Sequence, residues 1–448
     1  MLLLVAWDGA CWPLLDPMLE QGRLPALAAL LKRGARRDLR STLPAATFPA
    51  WTTFMTGAPP AEHGVTDFSV REGYQIRFTN STFRRLPTLW RLLSDAGRRV
   101  GVYGLPATYP PEELKGIQIC GFDTPLGAGS SRRVSHPPSL ARSLHERYGS
   151  LAIGGPQQVR MDEGWHRREL ARMLSTIELR TRIACDLVKE GDFDVFMVHY
   201  GESDTVAHQF WQFFDPRSPR YLPGGAAEAL PAVYSALDRA LARLTAELDP
   251  SDTVILMSDH GSGGCSDRVV FWNTWLARGG WLGFSGGFHR RRAAVARGLK
   301  RAALWALPPA TQPRLFSRLS RAAGHLEAGV RLGGIDWSRT KAFSEELNYF
   351  PAVWLNIKGR EPMGTIEPEA AVEVGNDVAE HLLALRDPFD GGQVVEKVHR
   401  REELFSGPFL DRIPDLLLTL RQPGGYSYAG ACSRGGSERS AVRRVSVS

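Results

Sequence analysis

The chain has 448 residues, enough for a large core and long for one simple domain. Its 43% hydrophobic and 23% charged residues are ordinary for a globular protein, and no run approaches the ~18 uninterrupted apolar residues that a membrane span needs. The net charge of +7 is spread along the chain rather than set in aromatic-interleaved clusters, which argues against specific nucleic-acid binding.

Two stretches are exceptions to that spread, Arg290 to Arg321 and Arg443-Arg444, and these can steer an anionic substrate or surface. Cys11, Cys120, Cys185, Cys265 and Cys432 form no C-x-x-C pair and are expected to be separate reduced thiols. The opening apolar run has no basic start, and Asp8 ends it. It reads as a buried strand rather than a leader, so the expected compartment is the cytoplasm.

In chain order, Leu2 to Trp7 is a predicted buried strand. Helical spacing follows over Leu24 to Lys32 and Leu86 to Ala96, then a strand over Val100 to Tyr103. Residues 105 to 165 are rich in Pro, Gly and Ser and are expected to be an irregular excursion over one edge. A helix is predicted over Trp165 to Lys189, a strand over Asp194 to His199, a helix over Leu230 to Leu248 and a strand over Thr253 to Ser258. Residues 276 to 338 are Arg-rich and helical in character, an expected insertion or lid. Alternation resumes at Lys341 to Gly359, with β-like residues over Phe350 to Ile357. Residues 424 to 448 are expected to be a poorly ordered tail. The expected core therefore comprises 1–275 with 339–423. Strands alternating with helices imply an α/β fold, a mostly parallel sheet covered on both faces. Sites in such sheets gather beyond the carboxyl ends of the strands.

Four constellations carry chemistry. Asp8 follows the first strand and precedes Gly9, placing an acid at a strand end; the plainer reading is a helix cap. Thr47 precedes Pro49 and a helix-compatible stretch, so its hydroxyl sits where free N–H groups favour a phosphate. A divalent cation there would favour its alkoxide; the plainer reading is an N-cap. Asp204 and His208 share a face if helical, and both are good zinc ligands; the plainer reading is a surface pair. Asp259-His260-Gly261 ends the apolar run from Thr253, and burying both side chains without a partner would be costly. Together these six groups suit a two-metal phosphoryl-transfer site.

That order of motifs resembles the alkaline phosphatase superfamily, and within it the type I phosphodiesterase/nucleotide pyrophosphatase branch. The resemblance rests on Trp7-Asp8-Gly9, Arg23 to Leu27, Thr47-Phe48-Pro49, Thr56-Gly57 with Glu62-His63-Gly64, Asp204 with His208, Ser258 to Gly261, Asn356 to Pro362, and Pro414-Asp415-Leu416. It implies an alkaline-phosphatase-like three-layer sandwich that hydrolyses small phosphate esters with two divalent metal ions, zinc by ligand type. It implies that Thr47 attacks phosphorus and becomes a phospho-threonine. Asp8, Thr47, Asp259 and His260 would surround one ion, and Asp204 and His208 would bind the other. His63 is expected to be structural.

The chain departs from that pattern twice. Eukaryotic-type members carry an Asn after Thr-Phe-Pro that helps hold a phosphate oxygen; Ala50 and Trp51 stand here. The family also supplies a third ligand to the second ion, a His beyond the Pro414-Asp415-Leu416 segment, and no His follows His399. His399 lies in a charged run and reads as a surface residue; His289 is a remote substitute. A chain truncated before that His is the expectation. The competing reading is a non-catalytic relative kept for binding. A sulfatase is disfavoured because Thr47 to Trp51 lacks that branch's nucleophile motif, and a cofactor-independent phosphomutase because Ser is usual there.

Overall fold

Leu3, Val5 and Trp7 leave the first strand on one side and Leu4 and Ala6 on the other, and both sets are buried. This two-sided apolar run belongs in the middle of a parallel sheet, where the strand alternation feeds two cores. The computed structural model places it there. It describes residues 1–124, 134–153, 164–285, 320–348, 350–433, 435 and 440–445.

Six strands make the central sheet: β1 (Leu2–Trp7), β2 (Val100–Tyr103), β3 (Gly116–Ile119), β4 (Ser135–His136), β5 (Val195–Tyr200) and β6 (Thr253–Met257). Their order across the sheet is β4, β3, β2, β5, β1, β6, and only β4 runs antiparallel to its neighbour. β1 aligns Leu2 with Val195 on one side and with Thr253 on the other. The carboxyl ends of β1, β5 and β6 therefore lie side by side.

One face packs Leu3, Val5 and Trp7 against Leu14, Leu27, Met173, Ile177, Val206 and Leu237. These come from the helices Trp12–Glu20, Pro25–Arg33, Trp165–Glu190, Glu202–Phe214 and Ala229–Ala246. The other packs Leu4 and Ala6 against Trp51, Met55 and Trp90 of the helices Thr47–Thr56 and Leu89–Asp95. Within the sheet, Phe196 lies over its register partner Gly101 on the neighbouring strand, where an added Cβ would come 2.4 Å from the Phe196 ring. The four strands and four helices predicted above all occur, with bounds shifted by three residues at most.

The stretch 105–165 departs from its expectation. Within it, Gly116–Ile119 and Ser135–His136 are sheet strands and Pro138–Tyr148 is a helix. Gly116, Ser135, Pro138, Ser139 and Ser143 lie within these elements, so composition was a poor guide, and such short strands leave little periodicity to read.

The chain divides into two compact units. The first is Met1–Val65, Thr79–Pro216 and Tyr221–Gly263; the second is Thr66–Phe78, Arg217–Arg220 and Gly264–Ser448. The sequence reading joined 339–423 to the first. Its strands instead pair with one another, in the order Ala342–Phe343, Ala352–Leu355, Leu416–Leu420, Val395–Arg400, all antiparallel. Phe343, Val353, Trp354 and Leu416 close a separate apolar core. Antiparallel pairing needs no crossover helix, so alternation was a poor guide here. The tail also carries order. Ser427–Gly430 and Val442–Arg444 flank Cys265–Val270 in a three-stranded sheet, and Tyr428 and Val442 are buried. Gly, Ser and Arg dominate its composition and mask those apolar residues. Of the expected lid 276–338, residues 286–319 lie outside the described residues.

Phe196 is fully buried on β5. Phe196→Ala is expected to cost the first unit about 3–5 kcal/mol in urea unfolding.

Candidate metal centre and nucleophile

The carboxyl ends of β1 and β6 deliver three acidic or imidazole side chains to one point. Asp8 follows β1, anchored by its N–H donating to the Tyr200 carbonyl at 3.0 Å, and is buried. Gly9 then turns away with φ +67°, and a Cβ on it would lie 3.0 Å from Asp204 Oδ1. Both the left-handed backbone and that close approach require glycine. Asp259 follows β6, and its Oδ1 accepts the Gly9 N–H at 3.2 Å. His260 comes next, with Nδ1 2.9 Å from the Gly261 carbonyl, leaving Nε2 to face the carboxylates.

Thr47 opens the helix Thr47–Thr56, with Pro49 in the first turn. The N-cap is Ala46, which caps nothing with its side chain. The Thr47 hydroxyl is thus not spent as a cap, and its Oγ1 lies 3.2 Å from His260 Nε2. Asp204 sits in the first turn of the helix Glu202–Phe214, whose Val206, Ala207 and Phe210 are buried. That packing turns the opposite face outward, and His208 Nε2 comes 3.3 Å from Asp204 Oδ1.

All six predicted site residues therefore lie in the first unit, and donor atoms of Asp8, Asp204 and His260 lie within 4.8 Å of one another. His260 Nε2 is 3.4 Å from Asp8 Oδ1 and 3.4 Å from Asp259 Oδ2. Ligand atoms about 2.0–2.2 Å from a tetrahedral ion lie roughly 3.3–3.6 Å apart, so these spacings fit one. Asp8 Oδ1 and Asp259 Oδ2 are also buried without a hydrogen-bond partner. Orphaned carboxylate oxygens at such depth are costly unless a cation meets them. The donor set and its unmet oxygens both suit a divalent metal.

The electrostatics carry the same mark. Burial pushes the Asp259 carboxyl well above the usual carboxylate range, and the charge of Asp8 adds to the push. Burial also acts to raise Asp8, but the bond and charge of His199, the charge of His260 and the Trp51 bond outweigh it and hold Asp8 low. The Asp204 contact raises His208 above its ordinary value, against the opposing effect of burial.

Two neighbours were missed from sequence. His199 Nε2 donates to Asp8 Oδ2 at 2.8 Å and Trp51 Nε1 donates to the same oxygen at 3.0 Å. The signal for Trp51 was its place one turn beyond Thr47. For His199 it was an imidazole among apolar residues at the end of a predicted strand. His63 has a structural environment. Its Nδ1 accepts the Val65 N–H at 3.1 Å and its Nε2 meets Thr53 Oγ1 at 3.0 Å. Burial, aided by Arg84, lowers it to about 3. His399 belongs to the second unit's sheet, where its Nε2 lies 3.1 Å from Thr419 Oγ1, and His289 lies outside the described residues.

This is an α/β fold with a carboxylate–imidazole cluster and a hydroxyl at one sheet end. The chain belongs to the type I phosphodiesterase/nucleotide pyrophosphatase family, whose sequence model matches residues 2–434. It is accordingly, by family, a phosphoric ester hydrolase. Phosphonoacetate hydrolase from Sinorhizobium meliloti 1021, solved with phosphonoacetate, is similar at 17% identity and TM-score 0.54, covering 96% of this chain and 82% of that one. The same enzyme with phosphonoformate gives 18% and 0.55 over the same shares. At those identities the likeness shows the alkaline-phosphatase-like fold. Murine ectonucleotide pyrophosphatase/phosphodiesterase 5 is similar at 13% identity and TM-score 0.47, over 96% of this chain and 80% of that one. No curated protein matches. Among the described residues, no helix is long and apolar enough to cross a membrane.

Two stability tests follow. A carboxyl raised on folding contributes stability that is present below its unfolded value, about 3.9, and is lost as pH rises through the folded one. In chelator, melting temperature is expected to fall as pH climbs above the ordinary carboxylate range, and Asp259→Asn is expected to remove much of that fall. A histidine lowered on folding has the opposite dependence. The His63 contribution is present above about 6.5 and lost as pH drops toward its folded value. His63→Gln is expected to flatten that part of the stability curve, measured by urea unfolding at stepped pH.

Proposed function

We propose that the chain is a metal-dependent hydrolase of phosphodiesters, of the phosphodiesterase/nucleotide pyrophosphatase type, acting on a small phosphate ester through phospho-Thr47. The observation that carries this reading is the uncapped Thr47 hydroxyl, held 3.2 Å from His260 Nε2 at a helix N-terminus beside two orphaned carboxylate oxygens. Asp8, Thr47, Asp259 and His260 would hold one divalent ion, zinc by ligand chemistry, and Asp204 with His208 a second. When bound, such ions supply Lewis acidity and lower the proton affinity of coordinated hydroxyl groups and water.

The residues divide the remaining work. Thr47 presents Oγ1 as the nucleophile, and the leading N–H groups of its helix favour the phosphate's negative charge. The Pro49 ring fixes the first turn, so the hydroxyl is aimed before substrate arrives. Thr47 Oγ forms a bond to phosphorus as the ester oxygen leaves. Water then attacks phosphorus and returns Oγ to the threonine. Asp204 and His208 present their donors from one helix face. A cytoplasmic setting is proposed because the cysteines are scattered and form no C-x-x-C pair.

The experiment is metal content measured with hydrolysis of bis-p-nitrophenyl phosphate and p-nitrophenyl phosphate, wild type beside Thr47→Ala. About two zinc ions per chain are expected, with the diester preferred and turnover falling at least about 10³-fold in the variant while zinc is retained. A wild type with fewer ions and no turnover would instead identify a non-catalytic relative.

A further inference from the structure

Asp8 has two carboxylate oxygens with opposite fates. Oδ2 receives two hydrogen bonds, from the Trp51 indole at 3.0 Å and the His199 imidazole at 2.8 Å. Oδ1 receives none, is buried, and faces His260 Nε2 at 3.4 Å. The indole N–H can only donate, and an ionised carboxylate can only accept, so the direction of the Trp51 bond is fixed. Both donors saturate one oxygen and leave the other bare.

The two donors come from different parts of the unit. His199 lies on β5, where it pairs in register with Ala6 of β1. Trp51 lies on the helix that Thr47 opens, one turn further on, so both side chains share a helix face. The two rings meet edge to face, 5.3 Å apart, and both are buried. Neither residue has a donor atom in the group of Asp8, Asp204 and His260 that could hold an ion.

We propose that Trp51 and His199 are positioning residues that clamp Asp8 Oδ2, turning Oδ1 toward the metal and tying the nucleophile's helix to that ligand. This rests on the metal-dependent reading above. Trp51 also replaces simple helix packing with a directed bond, so any shift of the helix strains the same carboxylate that would meet the ion. Residues that orient a metal ligand typically change affinity 10–100-fold when lost.

The test is zinc affinity of the metal-free protein by chelator competition, with the visible spectrum of the cobalt-substituted protein as a second readout. Trp51→Phe keeps an aromatic ring but loses the indole N–H; His199→Leu loses the donor; His199→Gln restores one near the Nε2 position. Zinc affinity is expected to fall about 10–100-fold in Trp51→Phe and His199→Leu, with an altered cobalt spectrum, and to recover in His199→Gln. Circular dichroism checks the fold, and Trp51→Phe, the conservative change, keeps the idea testable if His199→Leu unfolds. Asp8→Asn separates the two readings. If Asp8→Asn loses the ion while Trp51→Phe and His199→Leu bind it as wild type does, the clamp is wrong and the metal site stands. If Asp8→Asn binds zinc as wild type does, the ligand set itself is wrong, and the clamp with it.

Discussion

Two carboxylates that face one imidazole nitrogen from buried positions set the terms for the rest of the first unit. Asp8 and Asp259 repel each other, and each has an oxygen with nothing to bond. A fold tolerates that only where something rigid prevents the pair from turning away. Here the rigidity comes from adjacent parallel strands, one ending at each acid, and from Gly9, whose N–H holds the other oxygen of Asp259. The stability forgone in the metal-free protein is the counterpart of the affinity expected for a cation.

The sheet order explains why these groups meet although they lie far apart in sequence. β1 is flanked by β5 and β6, so the ends of three strands converge, and the helix after β5 adds Asp204 and His208. Thr47 arrives from the opposite layer, on the helix that packs against Leu4 and Ala6. The Thr47 hydroxyl and the carboxylate–imidazole cluster thus belong to different layers, and their spacing depends on how Trp51 and Met55 pack.

Much of this was legible in sequence because the relevant strands are uniformly apolar and end abruptly in ligand-type residues. Thr253 to Ser258 followed by Asp259-His260 is the clearest case. Asp204 and His208 were legible through helical spacing, and Thr47 through its place before Pro49. What the sequence concealed was pairing. No local pattern says that His199 will meet Asp8, since that contact depends on strand register. Nor did composition reveal that Ala342 to Leu420 forms its own antiparallel sheet, or that Tyr428 and Val442 are buried within a Gly- and Arg-rich tail.

The position of β1 has a consequence for biosynthesis. Its neighbours on both sides, beginning at Val195 and Thr253, are the last-made strands of the sheet. The first strand emerges early, with apolar residues on both faces, and has no sheet partner until almost two hundred residues have followed. At roughly 5–20 residues per second that interval lasts on the order of ten seconds or more. Asp8 and Asp259 cannot meet before β6 is placed, so the carboxylate–imidazole cluster, and with it any cation site it forms, comes together only in a nearly finished first unit.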